Sequence, residues 1–272
     1  MTRLRSFVSL IFVVALAGWG LQKLYGQKPF KAYNGYEYTD FPLPPDWDQP
    51  AEWTRARLRY RSLPVVHFAR TSPVQWTVDY PRSDRHFLQG IRRLTRIDTR
   101  SVEQVVDLDG DDDIYNWPFL YTVEPGHWNL SDAEGAQLRE YFQRGGFLML
   151  DDFHGTEEWR NFTIGLEKAL PNTKIVDLDN KDPIFHVIYD LEDRFQVPGL
   201  QYLYSHSISE WDGFGGKWRG VYDGQGRLIV AICHNMDLGD AWEHSDNPVY
   251  PEKFAALAYR IAVNYAVYDL TH

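Results

Sequence analysis

Polar side chains that could carry acid–base chemistry follow an apolar run in the middle of the chain. In GGFLMLDDFHG, residues 145–155, four apolar residues lead directly into Asp151, Asp152 and, two positions later, His154. The run FLML has no polar alternation, which is typical of a strand covered on both faces. Two acids and a histidine after such a strand predict the rim of an active or binding site.

A second set of polar residues follows another apolar run, in IVAICHN. Groups just beyond the carboxyl ends of parallel strands meet in one crevice, so we expect both sets, with Asp79 and Asp84, to lie near each other. They could hold a divalent metal or form a general acid–base pair. The alternative is that they cap helices and close turns. The second set comprises His234, Asn235, Asp237, Asp240, Trp242, Glu243 and His244.

Known metal motifs are not matched by the spacing of these residues. The sequence has no HExxH pattern, and DGDDD at residues 109–113 lacks the later glutamate of a calcium loop. The only cysteine is Cys233, which excludes an intrachain disulfide and multi-cysteine zinc sites. The sequence therefore predicts no metal site and no cofactor.

Strands that alternate with helices must position these groups. Helices are expected to begin near Ser83 or Asp84, at the capping box SDAE (residues 131–134), and near Thr156, with a further helix at the C-terminus. This alternation predicts an α/β fold, a three-layer sandwich around a mainly parallel sheet with Phe147–Leu150 in a central strand. The predicted strands lie in EWTRARLRYRS, VEQVVDL, PFLYTVEPGH, FLML, KIVDL and the hairpin KWRGVYDGQGRLIVAICHN.

The first predicted strand is unusual because every second residue is an arginine. Ala56, Leu58 and Tyr60 form its apolar face. The other face carries four arginines, which cannot all be buried, so we expect it to be solvated, the alternative being a ligand-facing surface. Those arginines are Arg55, Arg57, Arg59 and Arg61.

The N-terminus has the pattern of an export signal. The basic start MTRLR precedes the uncharged run SFVSLIFVVALAGWG, and Ala15-Leu16-Ala17 offers a cleavage site. An uncleaved anchor is the alternative, although residues 6–21 would span only roughly 24 Å as a helix against a hydrocarbon core of about 30 Å. The predicted organisation is a signal peptide or anchor (1–26), a Pro-rich tether (27–52) and an α/β domain (53–272), located in the periplasm or at the outer face of the membrane.

Composition narrows the classes of partner. The net charge is −10, from 38 acids and 28 bases, which excludes nucleic acid as a ligand because phosphates require a basic face. The chain is rich in tryptophan, which could form a sugar-binding platform but, without regular spacing, is expected in the core and at interfaces. The tryptophans concerned are Trp76, Trp117, Trp128, Trp159, Trp211, Trp218 and Trp242.

Several long stretches resemble an uncharacterised bacterial family, domain of unknown function 4159. They are WTVDYPRSDRHFL, PFLYTVEPGHWNLSDAE, GGFLMLDDFHG and HNMDLGDAWEHSDNPVYPEKFAALAYRIAVNYAVYDLTH, within residues 53–272. The resemblance implies a class I glutamine amidotransferase-like fold, which is flavodoxin-like, and a membrane-associated extracytoplasmic setting. It implies no known activity.

An amidotransferase needs a thiolate at the sharp turn after the central strand. That turn holds Asp151 and Asp152, and Cys233 lies in an apolar strand where it should be buried and inert. We therefore expect a binding or scaffold module of the cell envelope, with other envelope proteins as partners and with the membrane as a further contact if the N-terminal segment is uncleaved. The alternative is a hydrolase that uses Asp152, His154 and His234, with or without metal.

Geometry can separate these two hypotheses. Convergence of Asp152, His154 and His234 within ~5 Å in an open pocket would favour the enzyme. If the domain only binds, Asp152 should instead accept hydrogen bonds from the amides that start the helix near Thr156.

Overall fold

The computed structural model describes residues 27–63 and 74–272. The signal peptide or anchor predicted at residues 1–26 lies outside the described residues. None of the helices in the described ranges combines the length and hydropathy needed to cross a bilayer.

Seven strands form one mixed, mainly parallel sheet in the order β2-β1-β3-β4-β7-β6-β5. Strands β2, β1, β3, β4 and β7 are mutually parallel, and β6 runs antiparallel to both of its neighbours, β7 and β5. The central position of β4 confirms the expectation from FLML. The strands are β1 (Ala56–Arg59), β2 (Gln104–Asp107), β3 (Phe119–Val123), β4 (Phe147–Asp151), β5 (Val176–Asp177), β6 (Lys217–Tyr222) and β7 (Leu228–His234).

Six α-helices are present in the described residues, and they cover both faces of the sheet. Alternate residues of the central strands join two separate buried clusters, as the period of two in a strand requires. One cluster packs the sheet against α1, α5 and α6, and the other packs it against α2 and α3. The helices are α1 (Arg82–Leu94), α2 (Asp132–Gln143), α3 (Gly155–Ala169), α4 (Tyr202–Ser205), α5 (Leu238–Glu243) and α6 (Glu252–Thr271).

Local sequence signals place the central helix and strand. The predicted capping box is confirmed, because the Ser131 hydroxyl accepts from the Glu134 amide and the Glu134 carboxylate accepts from the Ser131 amide. The helix ends at Gln143, and Gly145 follows with a φ of 97°, a left-handed conformation that glycine adopts without strain. The chain then enters β4.

The start of α1 differs from the expectation. The helix begins at Arg82, and Pro81 occupies the cap position without a side-chain hydrogen bond. Ser83 and Asp84 are both fully buried inside the first turn and do not cap it. The carboxylate of Asp84 is instead used by arginines of the sheet.

The expectation of a solvated arginine face on the first strand is wrong for Arg55, which directly precedes β1, and for Arg57, which lies in it. Arg55 and Arg57 are fully buried, and each pairs with Asp84, at 2.7 Å and 2.8 Å. Arg57 also donates to the carbonyls of Trp76 and Val78. The burial is tolerated because a carboxylate from α1 and backbone acceptors share the charge, which the strand sequence alone does not reveal.

Residues 27–52 have no regular secondary structure, but they lie against the domain. Arg85 donates to the carbonyls of Phe41 and Pro42, Arg92 pairs with Asp46, and the Tyr38 hydroxyl donates to Glu243. The segment is therefore docked on the folded domain along part of its length. Its role as a tether to a membrane stays a prediction.

Most of the tryptophans singled out in the sequence are core residues. Trp76, Trp117, Trp128 and Trp242 are at most 4% exposed. Trp159 and Trp218 are half-buried, and Trp211 is 59% exposed. The buried four cannot offer a ring face to a sugar.

Candidate functional site

Three adjacent strands end in residues with a left-handed backbone. Glu124 follows β3, Asp152 follows β4 and Asn235 follows β7, with φ values of 50°, 55° and 62°. Hydrogen bonds tie these strand ends together, from the Glu124 amide to the Asp151 carbonyl and from the Asn235 amide to the Phe153 carbonyl. Non-glycine residues rarely adopt this conformation, and such strain clusters at functional sites. The carboxyl edge of the sheet is therefore the candidate site.

Asp152 contacts the next histidine at this edge. Its Oδ1 lies 3.2 Å from His154 Nε2, and the same nitrogen lies 3.7 Å from Glu210 Oε1. Both Asp152 and His154 are buried, and His154 Nδ1 has no hydrogen-bond partner among the described residues. Burial, and then the charges of Glu210 and Asp151, hold the pKa of Asp152 well above its usual range. A cation placed here would relieve that repulsion.

His234 does not join this group. Its Nε2 lies 3.1 Å from the Gly155 carbonyl, its Nδ1 lies 3.3 Å from Arg219, and its ring contacts the rings of Phe153 and Trp159. Burial lowers the pKa of His234 to about 4, so the ring is neutral at pH 7. Both ring nitrogens are thus engaged away from Asp152.

Asp151, the last residue of β4, holds the start of α5. Its Oδ2 accepts from the amides of Leu238 and Gly239, both at 2.8 Å, while Oδ1 has no hydrogen-bond partner among the described residues. Burial raises the pKa of Asp151 to about 7 even though these amide donors oppose the shift. Asp151 therefore links the central strand β4 to the N-terminal end of α5.

A larger group of carboxylates surrounds α5. Oxygen atoms of Asp79, Asp237 and Asp240 lie within 4.8 Å of one another, and Asp79 forms a similar group with Glu37 and Glu243. Asp237 caps α5 by accepting from the Asp240 amide. Burial, reinforced by neighbouring acids, raises the pKa of Asp79 and of Asp237 well above the usual range. Asp237 therefore caps a helix and also lies in a group of neighbouring acids, so capping a helix and belonging to the candidate site are not exclusive.

His244 lies at the outer side of this group. Its Nε2 is 3.5 Å from Asp240 Oδ1 and 3.4 Å from Glu243 Oε2. Burial alone would raise the pKa of Asp240, but the hydrogen bonds that its carboxylate accepts from the side chains of His244 and Asp237 outweigh burial, so the pKa is lowered. Burial raises the pKa of Glu243 to about 7. Negative charge in the group is therefore held first on Asp240.

Two of the residues singled out in the sequence lie in the protein interior instead. Asp84 is bound by Arg55 and Arg57, which outweigh the effect of its burial and lower its pKa. Trp242 is fully buried and packs edge-on against Phe87, with the Arg55 guanidinium over its ring. Neither side chain is exposed at the crevice.

A third carboxylate–histidine group was not anticipated from the sequence. His127 Nε2 lies 3.4 Å from both Glu124 Oε2 and Glu158 Oε1. Glu158 Oε2 also accepts from the His154 amide, which links this group to Asp152. Glu124 directly follows β3 as Asp152 follows β4, so its position after a strand is a signal that the sequence does contain. The sequence carries no comparable signal for Glu37, Glu158 or Glu210.

The comparison with protein families fits these observations. A family model described as "Domain of unknown function (DUF4159)" matches residues 56–270. The chain belongs to the DUF4159 family. It has no match among curated proteins.

In this DUF4159 protein the expected cap of α3 by Asp152 is wrong. The Gly155 amide donates to Asn235 Oδ1, the His154 amide to Glu158, and the Thr156 amide to Asp212. The carboxylate of Asp152 is directed to His154 because the left-handed backbone turns it away from the helix. Asp152 therefore does not cap α3, so the outcome expected for a domain that only binds is not met at this residue.

The single thiol of the DUF4159 chain is inert. Cys233 is fully buried in β7, and burial holds the pKa of its thiol well above the usual range. A protonated thiol inside a strand cannot attack a substrate at the strand end.

Proposed function

We propose that this protein is an exported binding or scaffold domain of a cell-envelope system, with a class I glutamine amidotransferase-like three-layer fold that has no nucleophile. The parallel strands follow the order β2-β1-β3-β4-β7, which is the 2-1-3-4-5 order of flavodoxin-like folds. Other envelope proteins are the proposed partners, and the N-terminal segment would hold the domain at the membrane if it is not cleaved.

One observation carries the proposal. The turn after β4 has the backbone that an exposed nucleophile would need, but the residue there is Asp152, and the only thiol lies buried in β7. Buried acids and histidines occupy the rest of the same edge. These groups suit recognition of a ligand by charge and hydrogen bonding better than thiolate attack.

Site-specific photocrosslinking in cells tests the binding function. A photoreactive residue replaces Glu210, which contacts His154 at the crevice, or Ile164, a 52% exposed residue of α3, as the matched control. We expect a discrete crosslinked product from position 210 and none from position 164. No product at position 210, or the same product from both positions, would contradict a partner-binding crevice.

Export is tested separately. Tagged full-length protein should fractionate with the periplasm or the membrane, and mass spectrometry of its N-terminus should show whether cleavage follows Ala17. Recovery in the cytosol would contradict the location.

A second candidate function, hydrolysis, is favoured by the contact of 3.2 Å between Asp152 and His154. Such a pair could act as acid and base on a substrate or on water. Purified full-length protein would be assayed on chromogenic carboxylate esters, phosphate esters and glycosides, with and without Mn²⁺. Turnover that both Asp152→Asn and His154→Gln abolish would replace the binding proposal by a hydrolase. We expect no turnover, because His234 binds Arg219 and the Gly155 carbonyl and is not directed to Asp152 and His154.

A further inference from the structure

The carboxylates around α5 lie closer together than their mutual repulsion would favour. Asp79 precedes α1, whereas Asp237 and Asp240 belong to the start of α5, so the group joins two separate parts of the chain. Their oxygen atoms lie within 4.8 Å of one another, a spacing that a single ion with metal–oxygen bonds of about 2.0–2.6 Å can bridge.

One oxygen of this group has nothing to bind. Asp79 is 2% exposed, and its Oδ2 has no hydrogen-bond partner among the described residues. A buried carboxylate oxygen without a donor is strongly unfavourable unless it is neutralised or coordinates a cation. The charge of Arg57 reaches Asp79, but its guanidinium is bound to Asp84 and to the carbonyls of Trp76 and Val78.

Two glycines keep space for the oxygen atoms. A β-carbon on Gly239 would overlap with Asp79 Oδ2, and one on Gly199 would overlap with Asp237 Oδ2. Any larger residue at either position would push a carboxylate out of the group. The backbone is therefore shaped around the three acids.

We propose that Asp79, Asp237 and Asp240 bind a hard divalent cation, Ca²⁺, Mg²⁺ or Mn²⁺. The three protein ligands are oxygen atoms, which these ions prefer over the nitrogen and sulfur ligands typical of Zn²⁺. Glu37 and Glu243, which form a second group with Asp79, supply further oxygen atoms. His244 is a positioning residue that holds Asp240 and Glu243 from the outer side.

The other two carboxylate–histidine groups are weaker candidates. His154 lies beside Asp152 and Glu210, and His127 lies beside Glu124 and Glu158, so a protonated imidazole can balance charge in each. In the group around α5, His244 lies beside Asp240 and Glu243, but Asp79 has no histidine partner among the described residues. The cation proposal rests on the proposed function, since the ion would be part of what this crevice binds.

Metal titration of the full-length protein in mild detergent tests the proposal. After removal of metal with EDTA, calorimetry and melting curves would be recorded with Ca²⁺, Mg²⁺, Mn²⁺ and Zn²⁺ separately. We expect one ion per chain and a rise in melting temperature with at least one of the first three ions. No binding by wild-type protein, or binding of Zn²⁺ alone, would overturn the oxygen site.

Variants locate the ion. Asp79→Asn keeps a residue that tolerates the left-handed backbone and should weaken binding on the order of 10-fold or more, because asparagine removes the charge and keeps one carbonyl oxygen. Gly239→Ala leaves every charge in place and should also weaken binding, whereas Gly224→Ala, which has open space around it, should not. Wild-type affinity in both Asp79→Asn and Gly239→Ala would contradict the site.

The same variants separate this inference from the proposed function. If Asp79→Asn loses the ion and also the crosslink from position 210, the ion is needed for partner binding. If wild-type protein binds no ion but the crosslink remains, the cation site fails and the binding domain stands. An ion without any crosslink would retain the cation site and contradict the partner-binding crevice.

Discussion

Two buried carboxylates five positions apart, Asp79 and Asp84, have opposite surroundings. Asp84 lies between Arg55 and Arg57, at 2.7 Å and 2.8 Å, and its pKa is lowered. Asp79 faces other acids, one of its oxygens has no partner among the described residues, and its pKa is raised. Both carboxylates belong to the chain around the start of α1, so burial alone does not explain the difference.

The difference lies in whether the protein itself supplies the opposite charge. At Asp84 the chain itself provides two guanidinium groups, from Arg55 just before β1 and from Arg57 in β1, so the carboxylate has its counter-charge without any ligand. At Asp79 the neighbours add negative charge, so the group is complete only when protons or a cation join it. We call the cluster at Asp84 balanced, because its carboxylate has a counter-charge inside the protein. We call the cluster at Asp79 unbalanced, because its neighbours are acids, and this is where we propose that a cation binds.

The largest effect is expected at the balanced cluster. Asp84→Asn would leave two buried guanidinium groups without their counter-charge, and breaking such a set costs about 3–5 kcal/mol of unfolding free energy. Urea unfolding followed by circular dichroism would measure it. The matched control is Asp107→Asn. Asp107 pairs with Arg59, which lies in the same strand as Arg57 but is partly exposed, so this substitution should cost about 0–1 kcal/mol of unfolding free energy. Equal losses in the two variants would show that Asp84 is not the essential counter-charge.

A smaller, pH-dependent effect is expected at Asp151. Its pKa is raised to about 7 in the folded protein, above the unfolded value, so the stability it contributes is complete in acid and is lost as the pH rises to about 7. Asparagine does not ionise. In EDTA, the unfolding free energy of Asp151→Asn relative to wild type should therefore increase from pH 5 to pH 7, by at most about 1.4 kcal/mol per pH unit. A difference independent of pH would mean that Asp151 is already charged at pH 5.

The sequence predicted the elements better than it predicted the charges. The capping box at Ser131, the glycine at position 145 and the run FLML are local signals, and the structure confirms the helix and strand that they predict. Convergence of strand-end residues also follows from a parallel sheet, which is why Asp152 and Asp237 lie at the same edge.

Partners distant in sequence could not be predicted in the same way. Burial of Arg57 depends on Asp84, which is 27 positions away on a helix. Glu37 belongs to a segment without regular structure, yet it accepts a hydrogen bond from the Asp79 amide. The alternation of residues along one strand predicts which face of the sheet a side chain lies on. It does not predict whether an oppositely charged side chain from another element packs against that face.

A pH-dependent effect of the opposite sign is expected at His234, whose neutral ring has a hydrogen-bond partner for each nitrogen. Donation from Nε2 to the Gly155 carbonyl and acceptance by Nδ1 from Arg219 use both nitrogens in the neutral form. Protonation would place a second donor against Arg219, in agreement with the lowering of the pKa of His234 to about 4. Its folded pKa lies below the unfolded value of about 6.5, so its contribution to stability is complete above pH 6.5 and is lost as the pH falls towards 4.

His234→Gln isolates this contribution, because glutamine can still donate to the carbonyl but cannot titrate. In urea unfolding, the stability advantage of wild type over the variant should be constant above pH 6.5 and should fall from pH 6.5 to pH 4, by at most about 1.4 kcal/mol per pH unit. The control is His186→Gln, where the hydrogen bond to Asp190 raises the histidine pKa, so the wild-type advantage should instead decline as the pH rises past 6.5. A His234 difference that grows in acid would mean that the ring is charged in the folded protein, and that it belongs with the unbalanced cluster at the strand ends.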